Sequence, residues 1–583
     1  MTAPLSRLSG HGALGDFTAT PRMLAIAGLA AAIGALGALL AAALLRLIAF
    51  FTNLFFFQRL SVEPALPAGH HLGAWVLVVP VIGAAIVGLM ARYGSERIRG
   101  HGIPEAIEMI LIRGSRAEPR VAVLKPLSAA ISIGSGGPFG AEGPIIMTAG
   151  SFGSLVAQLF HLTDVERKTL LVSGAAAGMA ATFASPLAAI LLAVELLLFE
   201  WKPRSLVPVG VASVVAFAAR GFLLGPGPLF PVPPRPDLVG PGGLGACLLA
   251  GLAAGALSAA LTTMVYASED AFSKLPIHWM WWPAIGGLAV GIGGFILPRA
   301  LGVGYETIGA LLGGDVPLAI AAGVLVVKSA MWAISLGSGT SGGVLAPLLM
   351  MGGALGVLET RFFPAEGPGF WPLVSMAAVL AGTMRAPLTA VVFGLELTHD
   401  LDALVPILLA ALAAHAFTVL VLPRSILTEK VARRGLHLSR EYSVDPLEIL
   451  LVRDVIDPAP PARIQGGVPS VTIRPDAPCR VAVYRMAEMG TTRLAVVDPA
   501  DPGVVLGVLR LDDLLKARVM NLDAESRRER HLSLWNPAER PGPAPDGPDP
   551  AAPETHGLRP AGSSTAPAGT APRSPPPGSR TPP

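Results

Sequence analysis

The chain has 583 residues, of which 52% are hydrophobic and only 14% are charged, and its mean hydropathy is +0.60. This balance excludes an ordinary soluble protein of this size and indicates an integral membrane protein with many spanning segments. The net charge of +3 gives no reason to expect a nucleic-acid partner. Cys247 and Cys479 lie far apart, so we expect neither a disulfide framework nor a thiolate metal site.

The first apolar run, Met23–Phe51, follows a polar segment of 22 residues that we predict to be cytoplasmic. This run is too long for the core of a cleaved signal peptide, and we interpret it as a retained helix. Further apolar runs follow as far as Leu422, for example Leu72–Leu89, Leu244–Val265, Val316–Val327 and Leu404–Leu422. Several runs are too short to span a bilayer alone, and short helices survive there only where protein or water satisfies their backbone. We therefore predict tilted and half-length helices.

The apolar region contains an internal duplication. Lys125–Pro144 reads KPLSAAISIGSGGPFGAEGP, and Lys328–Pro347, 203 residues later, reads KSAMWAISLGSGTSGGVLAP. Ser185–Leu197 and Ala386–Thr398 form a second matching pair at an offset of 201 residues. Two halves with interrupted apolar helices at corresponding positions are typical of transport proteins whose site lies where the halves meet.

Three glycine-rich breaks stand at the starts of apolar runs: Gly100–Glu105 (GHGIPE), Gly140–Pro144 (GAEGP) and Gly342–Pro347 (GGVLAP). Each has a proline at or near the expected first helical turn, which predicts a helix N-terminus inside the membrane. Free N–H groups and the positive end of the helix dipole bind anions there. Because a conducted anion must also leave, such partial charges suit conduction better than a buried lysine or arginine does.

Glu142 has no acidic counterpart in the second half, because the equivalent position is Leu345. A carboxylate at an intramembrane helix N-terminus can occupy an anion site and leave when protonated, so we predict a gate or proton carrier. The alternative is a buried acid in a satisfied hydrogen-bond network. Glu195 and Glu396, by contrast, are equivalent to each other, which favours helix capping or interhelical bonding.

Lys125 and Lys328 are also equivalent positions, and we expect them to act as structural groups or as long-range electrostatic contributors. His101 has two open interpretations. Its side chain either faces the anion path or bonds a neighbouring carbonyl.

The composition changes after Ser425–Gly435 (SILTEKVARRG), and residues 436–451 are predicted to be a linker. Residues 452–520 have the pattern strand, helix, strand, strand, helix, which predicts a small soluble α/β module. Residues 521–583 are first basic and then rich in Pro, Ala and Gly, so we predict a disordered tail. The arginine-rich sequence after Pro423 predicts a cytoplasmic C-terminus.

The three breaks, in this order on a duplicated scaffold, resemble the signature segments of the CLC chloride channel and transporter family. The resemblance covers residues 23–435, with halves at about 23–225 and 240–435. It implies an all-α polytopic membrane fold, an inverted internal repeat of obliquely packed and broken helices. It also implies a homodimer in the lipid bilayer, in the bacterial inner membrane, that carries chloride or a similar small anion, with protons as a second partner and no required cofactor.

The resemblance places the family's gating glutamate at Glu142. Four positions depart from the family's usual residues: His101 replaces Ser, Ala141 a basic residue, Leu345 Phe, and Leu427 the central Tyr. Since both side-chain hydroxyls are absent, we expect weaker or less selective anion binding. The positions that the resemblance assigns to anion binding are His101, Gly102, Ile103, Pro104, Val344, Leu345 and Leu427.

Many exchangers of the family carry a second, internal glutamate directly after the position of Glu195, where this chain has Leu196. This difference favours channel-like, uncoupled conduction, with a proton-coupled chloride antiporter as the alternative. A cation-coupled solute transporter of another inverted-repeat fold is a more distant alternative. A membrane enzyme is not expected, because the membrane part shows no nucleophile–base pair, metalloprotease motif or P-loop.

The soluble module resembles a single CBS motif, which in this family lies on the cytoplasmic side. A stable unit usually needs two motifs, so the partner subunit of a dimer would supply the second. Asp513 falls where nucleotide-binding CBS modules contact a ribose, although Arg510 replaces the usual Ser or Thr nearby. An adenine nucleotide is thus a candidate ligand, but we favour a dimerisation module without one.

Overall fold

The structure is a computed structural model in which residues 21–111, 114–232, 239–434, 447, 450–456, 462–463, 471–501 and 503–526 are described. The chain divides into two units, Met1–Ser443 and Val444–Pro583. The predicted disordered tail beyond residue 526, most of the predicted linker and residues 1–20 of the predicted N-terminal segment lie outside the described residues.

The described part of the first unit is built from α-helices. The first half contains α1 (Arg22–Phe57), α2 (Val79–Tyr93), α3 (Ile103–Leu111), α4 (Pro119–Gly134), α5 (Glu142–Gln158), α6 (Asp164–Phe183), α7 (Pro186–Leu192) and α8 (Pro203–Leu223). The second half contains α9 (Pro241–Ser273), α10 (Trp282–Ile296), α11 (Tyr305–Gly313), α12 (Leu318–Gly337), α13 (Leu345–Glu359), α14 (Phe370–Met384), α15 (Pro387–Thr398) and α16 (Leu404–Val421), and α17 (Ile426–Arg433) follows.

Helix lengths agree with the predicted mixture of full and partial spans. Among the described residues, seven helical segments are long and apolar enough to cross a membrane. Several others, including α13, α14 and α15, are shorter apolar helices. Nearly every residue of α13 and α14 is buried, which explains why these helices are apolar on all sides.

The duplication is visible in the packing of the helices. Helix α5 packs on α6 as α13 packs on α14, and α1 packs on α8 as α9 packs on α16. Helices α1–α8 therefore correspond in order to α9–α16. The start of α10 follows that of α2 by 203 residues, and the start of α13 follows that of α5 by the same number.

The two halves are inverted relative to each other, as the contact between α7 and α15 shows. Helix α7 continues into a π-helical turn, Ala193–Leu198, that carries Glu195, and Glu396 lies near the end of α15. Each carboxylate accepts two backbone N–H bonds of 2.8 to 3.3 Å from the first turn of the opposite helix: Glu195 from Leu388 and Thr389, and Glu396 from Leu187 and Ala188. Because the end of each helix meets the start of the other, the equivalent helices run antiparallel. The predicted interhelical bonding of both glutamates is confirmed.

The second unit contains a four-stranded sheet with strand order β1–β4–β3–β2. Its elements are β1 (Ala462–Arg463), β2 (Thr472–Ile473), α18 (Cys479–Met489), β3 (Arg493–Val497), β4 (Val504–Arg510) and α19 (Leu511–Ser526). From β2 onward this is the predicted order, with β2 parallel to β3 across α18; β1, which pairs with β4, was not predicted. Burial raises the pKa of the Cys479 thiol to about 11, so this side chain is a neutral core residue.

Candidate anion pathway

Two equivalent helix N-termini meet inside the first unit. Gly140 and Gly343 each lie two residues before their helix, α5 and α13 respectively. The Gly140 N–H donates to the Gly343 carbonyl at 3.0 Å, and the Gly343 N–H donates to the Gly140 carbonyl at 2.8 Å. This antiparallel bridge holds the starts of α5 and α13 side by side. The positive ends of two helix dipoles are therefore buried together.

The start of α3 contacts the start of α5 through glycine backbone. A Cβ atom on Gly143 would lie 1.7 Å from the His101 carbonyl oxygen, and one on Gly102 would lie 2.7 Å from the Gly143 carbonyl oxygen. Gly102 also has a φ of +91°, a conformation that side chains disfavour. The structure thus brings together all three glycine-rich breaks, and three helix N-termini surround one buried place.

Glu142, the first residue of α5, is completely buried at this place. Its Oε1 atom accepts a hydrogen bond of 3.1 Å from the Ala346 N–H in the first turn of α13. Its Oε2 atom has no hydrogen-bond partner among the described residues. A Cβ atom on Gly140 would lie 1.8 Å from Oε2, and one on Gly343 would lie 2.5 Å from it. This oxygen is therefore confined between the two glycines. The carboxylate therefore occupies the N-terminus of α13 as an anion would.

The other positions assigned to anion binding lie at the same three helix starts or on α17. Ile103 and Pro104 open α3, and Val344 and Leu345 are fully buried at the start of α13. The Gly102 N–H is already engaged, since it donates to Glu105 Oε2 at 3.0 Å. Pro104 has no N–H and can only shape the first turn of α3.

At the two family positions that lack a hydroxyl, the side chains are those of Leu427 and His101. Leu427 is fully buried in the first turn of α17. The hydroxyl of Tyr266, on α9, donates to the carbonyl of the neighbouring Ile426, which anchors α17. His101, in the place of the family's Ser, is 4% exposed, and its Nδ1 atom has no partner among the described residues.

Lys125 and Lys328 hold the segments that precede two equivalent helices. Lys125 Nζ donates at 2.8 Å to the carbonyls of Ile98 and Gly100, just before α3. Lys328 Nζ donates at 2.9 and 2.7 Å to the carbonyls of Ala300 and Gly302, just before α11. These partners are themselves 202 residues apart, which shows that α11 is the counterpart of α3.

Three residues at this site were not singled out from the sequence. Ala346 donates to Glu142, Glu105 accepts from Gly102, and the charge of Glu142 acts on the Tyr305 hydroxyl, which has no described partner. Glu105 could have been found as the last residue of GHGIPE. Tyr305 could have been found by extending the repeat, because GVGYE at residues 302–306 follows GHGIP at 100–104 by 202 residues. Every residue except proline has a backbone N–H, so the identity of residue 346 gives no indication that it donates to Glu142.

A charged cavity of about 610 Å³ lies beside the start of α3, and we call it the charged vestibule. Its charged lining residues are Glu96, Arg97, Arg99, Glu105, Glu108, Arg116, Glu118, Glu269, Lys430, Arg433 and Arg434. Several of them pair across the cavity: Arg434 with Glu105 at 2.8 Å, and Lys430 with Glu269 at 2.7 Å. Gly100 and Glu105, which flank His101, are both on its wall. The vestibule therefore gives water access to the edge of the site.

In the second unit, Asp513 lies in the first turn of α19. Its Oδ2 atom accepts a hydrogen bond of 2.9 Å from the Arg510 N–H, which caps the helix start. The carboxylate is therefore engaged in a structural bond at the position that the resemblance assigns to a ribose.

Comparison with known proteins identifies relatives of both units. The family model "Voltage gated chloride channel" matches residues 82–419, and the model "CBS domain" matches residues 452–519. The putative chloride channel protein ClcB-like of Ralstonia nicotianae is 30% identical over 404 residues, which cover 67% of this chain and 92% of that protein. The H(+)/Cl(-) exchange transporter ClcA of Salmonella paratyphi A is 28% identical over 413 residues, which cover 67% and 85%.

Solved structures show the same fold. A slow cyanobacterial Cl−/H+ antiporter superposes with a TM-score of 0.63 at 22% identity, covering 72% of this chain and 99% of that one. A CLC-type fluoride/proton antiporter gives a TM-score of 0.60 at 20% identity, covering 70% and 98%. Together with three helix N-termini around a buried glutamate, these matches show that the chain belongs to the voltage-gated chloride channel (CLC) family, whose members transport anions across membranes rather than catalyse reactions.

Proposed function

We propose that the protein exchanges chloride for protons across the membrane, with Glu142 as the group that carries the proton and opens the anion site. The observation that carries this proposal is the placement of the Glu142 carboxylate on the Ala346 N–H at the start of α13. A carboxylate in that place competes with a transported anion for the same donors. Protonation removes its charge, so binding of the proton and binding of the anion are linked.

Proton-coupled exchange replaces the uncoupled conduction that we expected from the presence of Leu196 at the position of the family's second glutamate. Two comparisons support exchange over uncoupled conduction. A 28% identical relative is named an exchange transporter, and the proteins with the same fold include antiporters. Leu196 itself is fully buried in the π-helical turn after α7. A proton route in this chain must therefore avoid that position.

The anion ligands in this proposal are backbone groups at the starts of α3 and α13, with His101 in place of the usual serine hydroxyl. Partial charges at helix ends bind an anion without holding it too tightly for transport. The substrate is chloride, and the absence of both family hydroxyls predicts that nitrate and bromide compete well with it.

We further propose that the protein is a homodimer in the bacterial inner membrane, with both termini in the cytoplasm and one anion pathway in each subunit. The arginine-rich segment after Pro423 supports this orientation. Residues 452–519 match one CBS domain, and pairing with the partner's copy would complete the usual two-motif unit. In this proposal the module assembles the dimer and needs no nucleotide.

Reconstituted vesicles test the exchange. Purified protein is placed in liposomes with symmetric chloride and a pH gradient, and the reversal potential is measured. Exchange predicts a potential that shifts with the pH gradient, and an outward chloride gradient should then drive protons inward against their own gradient. A reversal potential that stays at zero, together with robust chloride flux, would establish uncoupled conduction instead.

A further inference from the structure

We propose that His101 is the proton-transfer group that connects the charged vestibule with Glu142. This inference rests on the proposed exchange of chloride for protons. It assigns to one side chain the internal proton step that Leu196 is unable to perform.

His101 lies between the vestibule and the anion site. Its neighbours Gly100 and Glu105 line the vestibule, and its own carbonyl lies against Gly143 in the first turn of α5, the helix that begins at Glu142. Gly100 also forms a parallel bridge with Ser341, which ties this segment to the break before α13. The backbone of His101 therefore lies between the wall of the vestibule and the start of α5.

The hydrogen-bonding state of His101 differs from that of the ionisable groups beside it. Glu105 accepts from Gly102 and pairs with Arg434, and Lys125 donates to two carbonyls. The His101 Nδ1 atom is buried and has no partner among the described residues. Buried polar atoms in native proteins almost always have partners, so such an atom indicates a group that exchanges partners, including protons or water, during function.

The charges that face the imidazole make its protonation depend on the anion. The acidic group near the imidazole is Glu105 on α3, and the basic groups are Lys125 on α4, Lys430 on α17 and Arg434 just after α17. Glu105 compensates only in part, because it is already paired with Arg434. A chloride ion at the start of α3 would add a negative charge near the imidazole. Proton uptake by His101 is therefore favoured when the anion site is filled.

The proposed proton route consists of two transfers, from water to His101 and from His101 to Glu142. A hydronium ion in the vestibule gives a proton to a ring nitrogen of His101, which becomes an imidazolium and releases water. The imidazolium then gives its proton to the Glu142 carboxylate, directly or through one water molecule, and returns to the neutral form. The neutral Glu142 no longer competes with chloride for the Ala346 N–H.

The route through the π-helical turn of α7 offers no comparable group. Glu195, the acidic residue of that turn, is held by N–H groups of α15 and by the Thr389 hydroxyl. Leu196 is apolar and fully buried. His101 is thus a titratable side chain in the described part of the pathway that has an unused nitrogen and lies next to Gly100 on the vestibule wall.

The test compares proton and chloride fluxes of the full-length protein in liposomes for H101Q and for the control H415Q. Glutamine keeps hydrogen-bonding capacity but carries no proton, and His415 is a half-buried histidine on α16, which contributes to none of the three helix starts. We expect the ratio of proton to chloride flux to fall by at least about tenfold in H101Q, whatever the change in chloride flux itself, and H415Q to keep the wild-type ratio. H101S, the family's usual residue, provides a second variant if H101Q does not fold.

Chemical rescue separates proton transfer from a structural effect. H101G removes the imidazole ring, and added imidazole should raise the ratio of proton to chloride flux in this variant toward the wild-type value. A wild-type ratio of proton to chloride flux in both H101Q and H101S would overturn the role of His101 while leaving exchange intact. Absence of proton flux in the wild-type protein would instead overturn the exchange itself.

Discussion

Glu195 and Glu396 each cap the start of the helix that carries the other. Each carboxylate accepts two backbone N–H bonds, and the Thr389 hydroxyl gives Glu195 a further one. A helix start inside a membrane has no water to satisfy its free N–H groups, so a carboxylate from the neighbouring helix takes that place. In the proposed exchange mechanism, the same chemistry at Glu142 serves transport, because protonation or an anion displaces that carboxylate.

Replacing either capping glutamate should lower stability without altering coupling. We expect Glu396→Ala to reduce the free energy of unfolding by about 1–3 kcal/mol, because two N–H groups at the start of α7, which has no water around it in a membrane, lose their acceptor. Thermal unfolding in detergent measures this loss. The folded fraction should keep the wild-type ratio of proton to chloride flux. A changed ratio in Glu396→Ala would show that this residue belongs to the proton path.

Neutralising Glu142 should remove the pH dependence of transport. Glu142→Gln resembles the protonated gate, so proton flux should vanish and chloride flux should no longer vary with pH. Glu359→Gln is the matched control, since Glu359 is also a buried acid, bonded by Ser375, but lies at the opposite end of α13. Equal pH dependence in Glu142→Gln and in the wild type would contradict the gating role.

Glycine at residue 143 should be indispensable for assembly of the pathway. An alanine Cβ there would lie 1.7 Å from the His101 carbonyl oxygen, a backbone atom, so the two helix starts would have to move apart. Gly143→Ala should therefore abolish chloride flux or prevent folding. Gly28→Ala on α1, where nothing lies within 4 Å of the new atom, should behave like the wild type. Normal flux in Gly143→Ala would mean that α3 and α5 are farther apart in the working protein.

The sequence predicted the parts of this fold that repeat. Equal offsets in two halves located the breaks at Gly140 and Gly342 and separated the unpaired Glu142 from the paired Glu195 and Glu396. It did not predict which backbone N–H donates to Glu142. The Ala346 N–H does so because of where α13 begins and which way it runs, not because of its residue type. It also missed the pairing of α3 with α11, since the two segments share only the glycine pairs 100/302 and 102/304, a short motif that carries little specificity.

Asp513 should act as a helix cap in the second unit and not as a nucleotide ligand. Its bond to the Arg510 N–H is at the start of α19, so Asp513→Ala should destabilise this unit by about 1 kcal/mol. Added ATP should leave the unfolding temperature of the wild-type protein unchanged. An increase with ATP that disappears in Asp513→Ala would instead support binding of a nucleotide at this position.

Lys125 and Lys328 make equivalent bonds but serve helices with different roles, which gives a matched pair of variants. Lys125→Met and Lys328→Met each leave two buried carbonyls without a donor, so both should lose about 1–3 kcal/mol of stability per unsatisfied group. Lys125 holds Gly100 beside His101 at the start of α3, whereas Lys328 holds the segment before α11. Half-saturating chloride should therefore rise in Lys125→Met and change little in Lys328→Met. An equal rise in both variants would indicate that the start of α11 also takes part in anion binding, together with Tyr305.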